Sequence, residues 1–192
     1  MNISIVVSIF SASLSVIALF LTYNVSVTTQ RAFVFIKEIQ PFLLNDVLVV
    51  MPKWQNSGAT PTRKMLNHVN WSSFPDGIPN GYLFPDLKAD GALDDKRGNI
   101  ATFLGPKAEI FGEQLKIPTS TLEAASQGKT KLFIWGWTTY DDVFWFTSGH
   151  NTEFCNQIQV TSLGIDTQTK AVNAGISFSQ CPQHNCIDGD CK

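Results

Sequence analysis

The chain has 192 residues, with 16 acidic and 14 basic side chains and a formal net charge of −2. Only three arginines occur (Arg31, Arg63, Arg97) and the lysines are scattered, so the concentrated basic face of a nucleic-acid binder is missing. Apolar residues make up 44% and aromatic residues 11%, which excludes a disordered tail and suffices for one folded domain.

The first element is the run Ile3 to Leu21, nineteen residues without a charge, Pro or Gly. As a helix it is about 28 Å long, against about 30 Å of bilayer hydrocarbon, and Tyr23 suits the interface that follows. No Lys or Arg precedes Arg31, the apolar stretch is long, and no A-x-A-like cleavage site is clear. Residues 1–23 are therefore read as a retained single-pass transmembrane anchor, not as a cleaved signal. Ser4, Ser8, Ser11, Ser15, Ala18 and Thr22 recur at spacings of 4, 3, 4, 3 and 4, which places them on one helix face. Such a stripe of small and hydroxylated residues predicts self-association, or pairing with another membrane helix. Lys and Arg near the anchor (Arg31, Lys37) lean the large domain toward the cytoplasm, on a thin count that leaves its side undecided.

A short linker, 24–30, leads to a domain over 31–180 and a Cys-rich tail over 181–192. Apolar runs with turn residues between them predict strands at 31–39, 47–54, 65–71, 100–104, 108–117, 131–140, 154–163 and 171–178. About eight such strands read as a mainly β fold, an antiparallel, immunoglobulin-like sandwich. One short helix interrupts: Ser120 as N-cap with Glu123 three residues on makes a capping box, and Gly128 suits the C′ position. Residues 74–98 form a long, Pro- and Gly-broken loop, read as the most mobile region.

Several short motifs carry a resemblance: Arg31-Ala-Phe-Val after an apolar run, Trp54-Gln-Asn56-Ser-Gly58-Ala-Thr60-Pro61, Leu104-Gly105-Pro106, Tyr140-Asp141-Asp142-Val143-Phe144, and His150-Asn151-Thr152-Glu153-Phe154-Cys155. In this order they resemble a family of bacterial single-pass membrane proteins of unassigned function with a β-sandwich outer part. The resemblance covers most of the chain from residue 31 and implies fold and membrane location, with no chemistry.

Three sets of residues are candidate sites. Cys155, Cys181, Cys186 and Cys191, with His184 among them, allow two disulfides, a zinc site or free thiols. Disulfides require an exported domain; the C-x4-C spacings fit no zinc ribbon. Asp141, Asp142 and His150 lie at adjacent strand ends, where an acid and an imidazole make an acid–base or metal pair, or else serve turns. The aromatic concentration around Trp135, Trp137 and Trp145 is either an exposed ligand surface or sandwich core. In Trp54-x-Asn56-x-Gly58-x-Thr60-Pro61, Gly58 can take positive φ and Pro61 forces an extended Thr60, so a strand end or bulge is expected.

No Gly-rich phosphate loop, G-x-S-x-G, H-E-x-x-H or dinucleotide fingerprint occurs. The reading is thus a non-catalytic, membrane-anchored β-sandwich that binds or scaffolds, meeting the bilayer and a second copy or membrane partner. The alternatives are an exported, disulfide-stapled ligand-binding or adhesive module, and a metal-binding sensor or enzyme using His150, His184 and the cysteines, with zinc as its cofactor.

Overall fold

The uncharged run forms a helix, α1 (Ile3–Gln30), in the computed structural model of the chain. The structure describes residues 3–44, 47–87, 102–144, 146–147, 149–165 and 172–191. α1 is long and apolar enough to cross a membrane, and its apolar side chains, among them Phe10, Leu14 and Leu19, stand exposed. Residues 24–30, expected as linker, continue the helix, since no Pro or Gly breaks it. On the stripe, the hydroxyls of Ser8, Ser15 and Thr22 donate to the carbonyls of Ser4, Ser11 and Ala18, one turn back.

The rest is mainly β, in two antiparallel sheets. In the first, β2 (Val47–Asn56) has β1 (Val34–Leu44) on one side, with β4 (Glu109–Phe111) and β5 (Leu115–Pro118) successively along the other. In the second the order is β3 (Arg63–Phe74), β6 (Lys131–Asp141), β7 (His150–Ile165) and β8 (Val172–Gln180). A two-residue strand from the tail, β9 (Cys186–Ile187), joins the outer edge of β7. Between the sheets lies a core of Val34, Leu48, Val50 and Trp54 from one side and Met65, Val69, Leu132, Ile134, Phe154 and Ile158 from the other. The Thr152 hydroxyl donates to the Val34 carbonyl at 2.7 Å, pinning sheet to sheet through a buried hydrogen bond.

The expected strand at 108–117 is two strands. Pro52 of β2 offers no N–H where the ladder breaks, and its carbonyl instead accepts the Gly112 N–H at 2.8 Å. The expected strand at 100–104 reduces, among the described residues, to a single bridge between Met65 and Thr102. The short helix is α2 (Thr119–Ser126), which carries the chain from β5 to β6 and so from one sheet to the other. Its capping box does not form: β5 runs straight into the helix, so Pro118 is the N-cap, Ser120 lies inside the first turn, and no side chain caps it. Its other end is as expected. Gly128, at φ +70°, donates to Ala125 and Lys129 donates to Ala124, the paired bonds of a Schellman ending.

Candidate functional site

The strand β6 is buried on both faces. Leu132 and Ile134 enter the core between the sheets; Phe133 and Trp135 belong to a second apolar cluster with Phe84, Cys155 and Cys181 on the outer side of the sheet. Of the two readings of the aromatic concentration, the exposed ligand surface is therefore corrected: Trp135 and Trp137 are 0% exposed. Trp145 lies outside the described residues. The cover over Phe133 and Trp135 comes from two segments distant in sequence, the loop after β3 and the tail, whereas the Trp137 ring lies against His68 of β3. Residues 75–87 of the loop expected to be mobile pack down through Ile78, Tyr82, Phe84 and Leu87, with Phe84 and Trp135 rings edge to face at 5.2 Å. Its part beyond residue 87 lies outside the described residues.

All four cysteines are paired. Cys155 and Cys181 form a buried disulfide (S–S 2.06 Å) between β7 and the start of the tail, and the Cys181 N–H donates to the Cys155 carbonyl at 3.0 Å. Asn185 fixes the next turn: its amide donates to the Cys181 and Gln183 carbonyls, and its oxygen accepts the Cys155 N–H. Cys186 and Cys191 form a second disulfide (S–S 2.13 Å) around the Asp188–Asp190 turn. With every sulfur in a disulfide, the thiolates a zinc site needs are not present. The donor atoms of Glu153, Cys186 and Cys191 do lie within 4.8 Å of one another, so this group can hold a metal only in a reduced chain.

His184 lies under this tail, with its side chain 2% exposed and its backbone at φ +58°. Its ring stacks on Phe84 at 4.3 Å, Nδ1 meets a Glu153 carboxylate oxygen at 2.7 Å, and Nε2 faces Asp86 Oδ2 at 3.7 Å. That last separation is an ion pair without a hydrogen bond, and neither atom has a hydrogen-bond partner. The other Asp86 oxygen accepts the Trp135 indole N–H at 2.9 Å. Burial disfavours the imidazolium, but Asp86 and Glu153 outweigh it and raise the His184 pKa to about 9. Burial likewise works against the Asp86 carboxylate, and His184 with the Trp135 N–H reverses this, holding it below its ordinary value. A cation is thus clamped between two carboxylates beneath an aromatic lid.

Over the cluster runs a groove of about 440 Å³ lined by Tyr82, Phe84, Glu153, His184, Asn185 and Asp190. A neighbouring hollow of about 410 Å³ shares Glu153, Asn185, Cys186 and Asp190 with it and reaches Phe35 and Ile36 of β1. The two make one trough across the tail, with carboxylates in the middle and apolar ends.

His150 heads a second cluster, at the end of the sandwich where α1 joins. Nε2 meets Asp142 Oδ2 at 3.1 Å, and Nδ1 meets the Asp188 carboxylate at 3.1–3.2 Å. Asp188 also accepts the Asn151 N–H and faces Arg31 at 3.5 Å, so tail, β7 and helix end meet through one carboxylate. The Tyr140 ring lies 5.2 Å from His150, and its hydroxyl accepts the Val34 N–H at 3.2 Å; burial first of all pushes its pKa up to about 12. Of the two readings offered for Asp141, the turn is the one observed: it accepts the Gly149 N–H and lies 3.8 Å from Lys64, and Asp142 is the acid that meets His150. His150 and His184 thus sit in separate clusters with no shared partner, and they do not converge with the cysteines on one metal point.

The motif around Asn56 belongs to the same end. Asn56, fully buried, accepts the N–H groups of Phe33 and Gly58 and donates to the carbonyls of Thr60, Leu104 and Gly105. Gly58 does not use the positive φ open to a glycine. It is required because a Cβ there would stand 2.2 Å from the Arg31 carbonyl and 2.7 Å from the Ala32 Cα.

Asp86, Asp188, Phe84 and Asn185 escape a reading of the sequence, and Arg31, Glu153 and Asn56 are marked there only as members of motifs, with no site role. Local spacing carries no sign of their partners, because these come from other segments. The chain matches no protein-family model, no curated protein and no solved structure, so the account of its site rests on this geometry.

Proposed function

We propose that this chain is a single-pass membrane protein whose β-sandwich stands on the oxidising side of the membrane and acts, without catalysis, as a binding or scaffolding module. On this reading it is one of the bacterial single-pass proteins that its motif order resembles. The observation that carries the proposal is the buried Cys155–Cys181 disulfide, which joins the tail to β7 and helps close the second core. Disulfides of this kind persist where thiols are oxidised and are rare where glutathione keeps them reduced. This outweighs the two positive charges that lean the domain toward the cytoplasm. The anchor reading is supported by how the end of α1 is built into the fold: Val27 is buried, and the Thr60 hydroxyl donates to the Gln30 carbonyl at 2.9 Å. The binding face is the trough across the tail, where the exposed Asp190 carboxylate suits a positively charged ligand group. The serine stripe of α1 serves association with a second membrane helix.

Thiol labelling of cells expressing the full-length chain tests this. A membrane-impermeant maleimide leaves the protein unlabelled on intact cells and labels it there after treatment with an impermeant reductant. Labelling that needs lysis and no reductant overturns the proposal.

A further inference from the structure

The turn between β6 and β7 presents apolar side chains outward: Val143 is 39% exposed and Phe146 is 42% exposed. The turn is firmly built from within. The buried carboxylate of Asp142 accepts the Phe144 N–H at 2.7 Å and the Thr147 hydroxyl at 2.7–2.8 Å, and meets His150 at 3.1 Å. A turn held this way keeps its outward residues in place, and exposed turns normally carry polar ones. The Phe146 ring lies 5.3 Å from the Tyr23 ring of α1. Tyr23 comes two residues after the apolar run Ile3 to Leu21, the depth at which aromatic rings settle among lipid headgroups. The helix cannot slide against the sandwich, because Gln30 and Arg31 are tied to Thr60 and Asp188. From Tyr23 to Gln30 is about 10 Å of helix, so the domain sits immediately above the plane that Tyr23 marks.

We propose that the β6–β7 turn is a second membrane contact, with Val143 and Phe146 at the headgroup–acyl boundary of the leaflet from which α1 emerges. The occupant of this apolar surface is the bilayer itself, and the fit is that of an interfacial aromatic belt made from two distant segments. The contact fixes the tilt of the sandwich and turns its trough to a constant height above the lipid. The inference rests on reading α1 as a membrane anchor.

The test places single cysteines at Val143→Cys, Phe146→Cys, Leu14→Cys in α1 and Glu123→Cys in α2 at the opposite end of the sandwich, each in the full-length chain with its native disulfides intact. Each is labelled with an environment-sensitive fluorophore and reconstituted into bilayers carrying nitroxide quenchers near the headgroup or deep in the acyl chain. The expected result is loss of fluorescence and a blue shift at residues 143 and 146 with the shallow quencher, loss at 14 with the deep one, and none at 123. Quenching at 14 with residues 143 and 146 behaving like 123 overturns this inference and leaves the anchor standing. No quenching at 14 overturns the anchor, and the inference with it. The two turn positions are read separately, so one variant that fails to fold leaves the other decisive.

Discussion

His150 and His184 both sit between two carboxylates, yet the clusters are built differently. Around His150 both ring nitrogens have carboxylate oxygens at 3.1–3.2 Å, and Asp142 keeps further donors in Phe144 and Thr147. The group joins backbone segments, and each member retains partners if one is lost. Around His184 one contact is short, the other is 3.7 Å, and the atoms facing across that gap have no hydrogen-bond partner. This second group is held by charge between side chains that are almost wholly buried. The lesson is that hydrogen-bond geometry secures the first cluster and electrostatics the second, so the two should respond differently to mutation.

The largest expected effect follows from removing His184. His184→Ala leaves Asp86 and Glu153 buried without their cation, a change that costs about 3–5 kcal/mol. His150→Ala should cost less, about 1–3 kcal/mol, because Asp142 keeps its other donors. Denaturant unfolding of the full-length chain in detergent measures both, and equal losses would break the comparison.

The disulfides come next. They span sequence separations of 26 and 5 residues. By loop-closure entropy, replacing both Cys155 and Cys181 with Ser costs about 3.5 kcal/mol, and the same change at Cys186 and Cys191 about 2 kcal/mol. Thermal melts of the two double variants rank them; a larger loss at 186 and 191 would move the main staple to the end of the tail.

A smaller effect is pH-dependent and belongs to the His184 cluster. The folded-state pKa of about 9 lies above the ordinary 6.5. The stabilisation is therefore fully present below pH about 6.5 and is lost as pH rises through about 9. For Asp86 the shift is downward, so its contribution is present above the ordinary carboxylate range and is lost in acid. Melting temperature followed from pH 6 to 10 should fall, and Asp86→Asn should flatten the curve; a flat wild-type profile would contradict the charge account. The smallest effect on the domain is expected in α1. Replacing Ser8, Ser11 and Ser15 with Leu should leave domain unfolding unchanged, since the Ser8 and Ser15 hydroxyls bond to their own helix, while lowering association in a membrane reporter assay.

Much of the fold was legible in the sequence because its signals are local. The uncharged run, the strand alternation and Gly128 each state their structure within a few residues. The alternation in β6 also separated Leu132 and Ile134 from Phe133, Trp135 and Trp137. A period of two says which residues share a face and nothing about what covers it, so Trp135, which lies under a lid, could be read as exposed. The lid is residues 75–87 and a tail a hundred residues further on. For the same reason His150 and Asp142, eight residues apart on one turn, were visible as a pair, whereas Asp86, Glu153 and His184 converge from three segments. The two disulfides were one of three readings of four cysteines, and only the fold selects Cys155 with Cys181.

The most direct test of the central claim, a sandwich whose outer face is sealed by a disulfide-locked tail, is peptide mapping of the purified chain, alkylated before unfolding and digested without reductant. The account predicts two cross-linked species, Cys155 with Cys181 and Cys186 with Cys191, and no alkylated thiol. Four alkylated cysteines, or Cys155 recovered free, would contradict it.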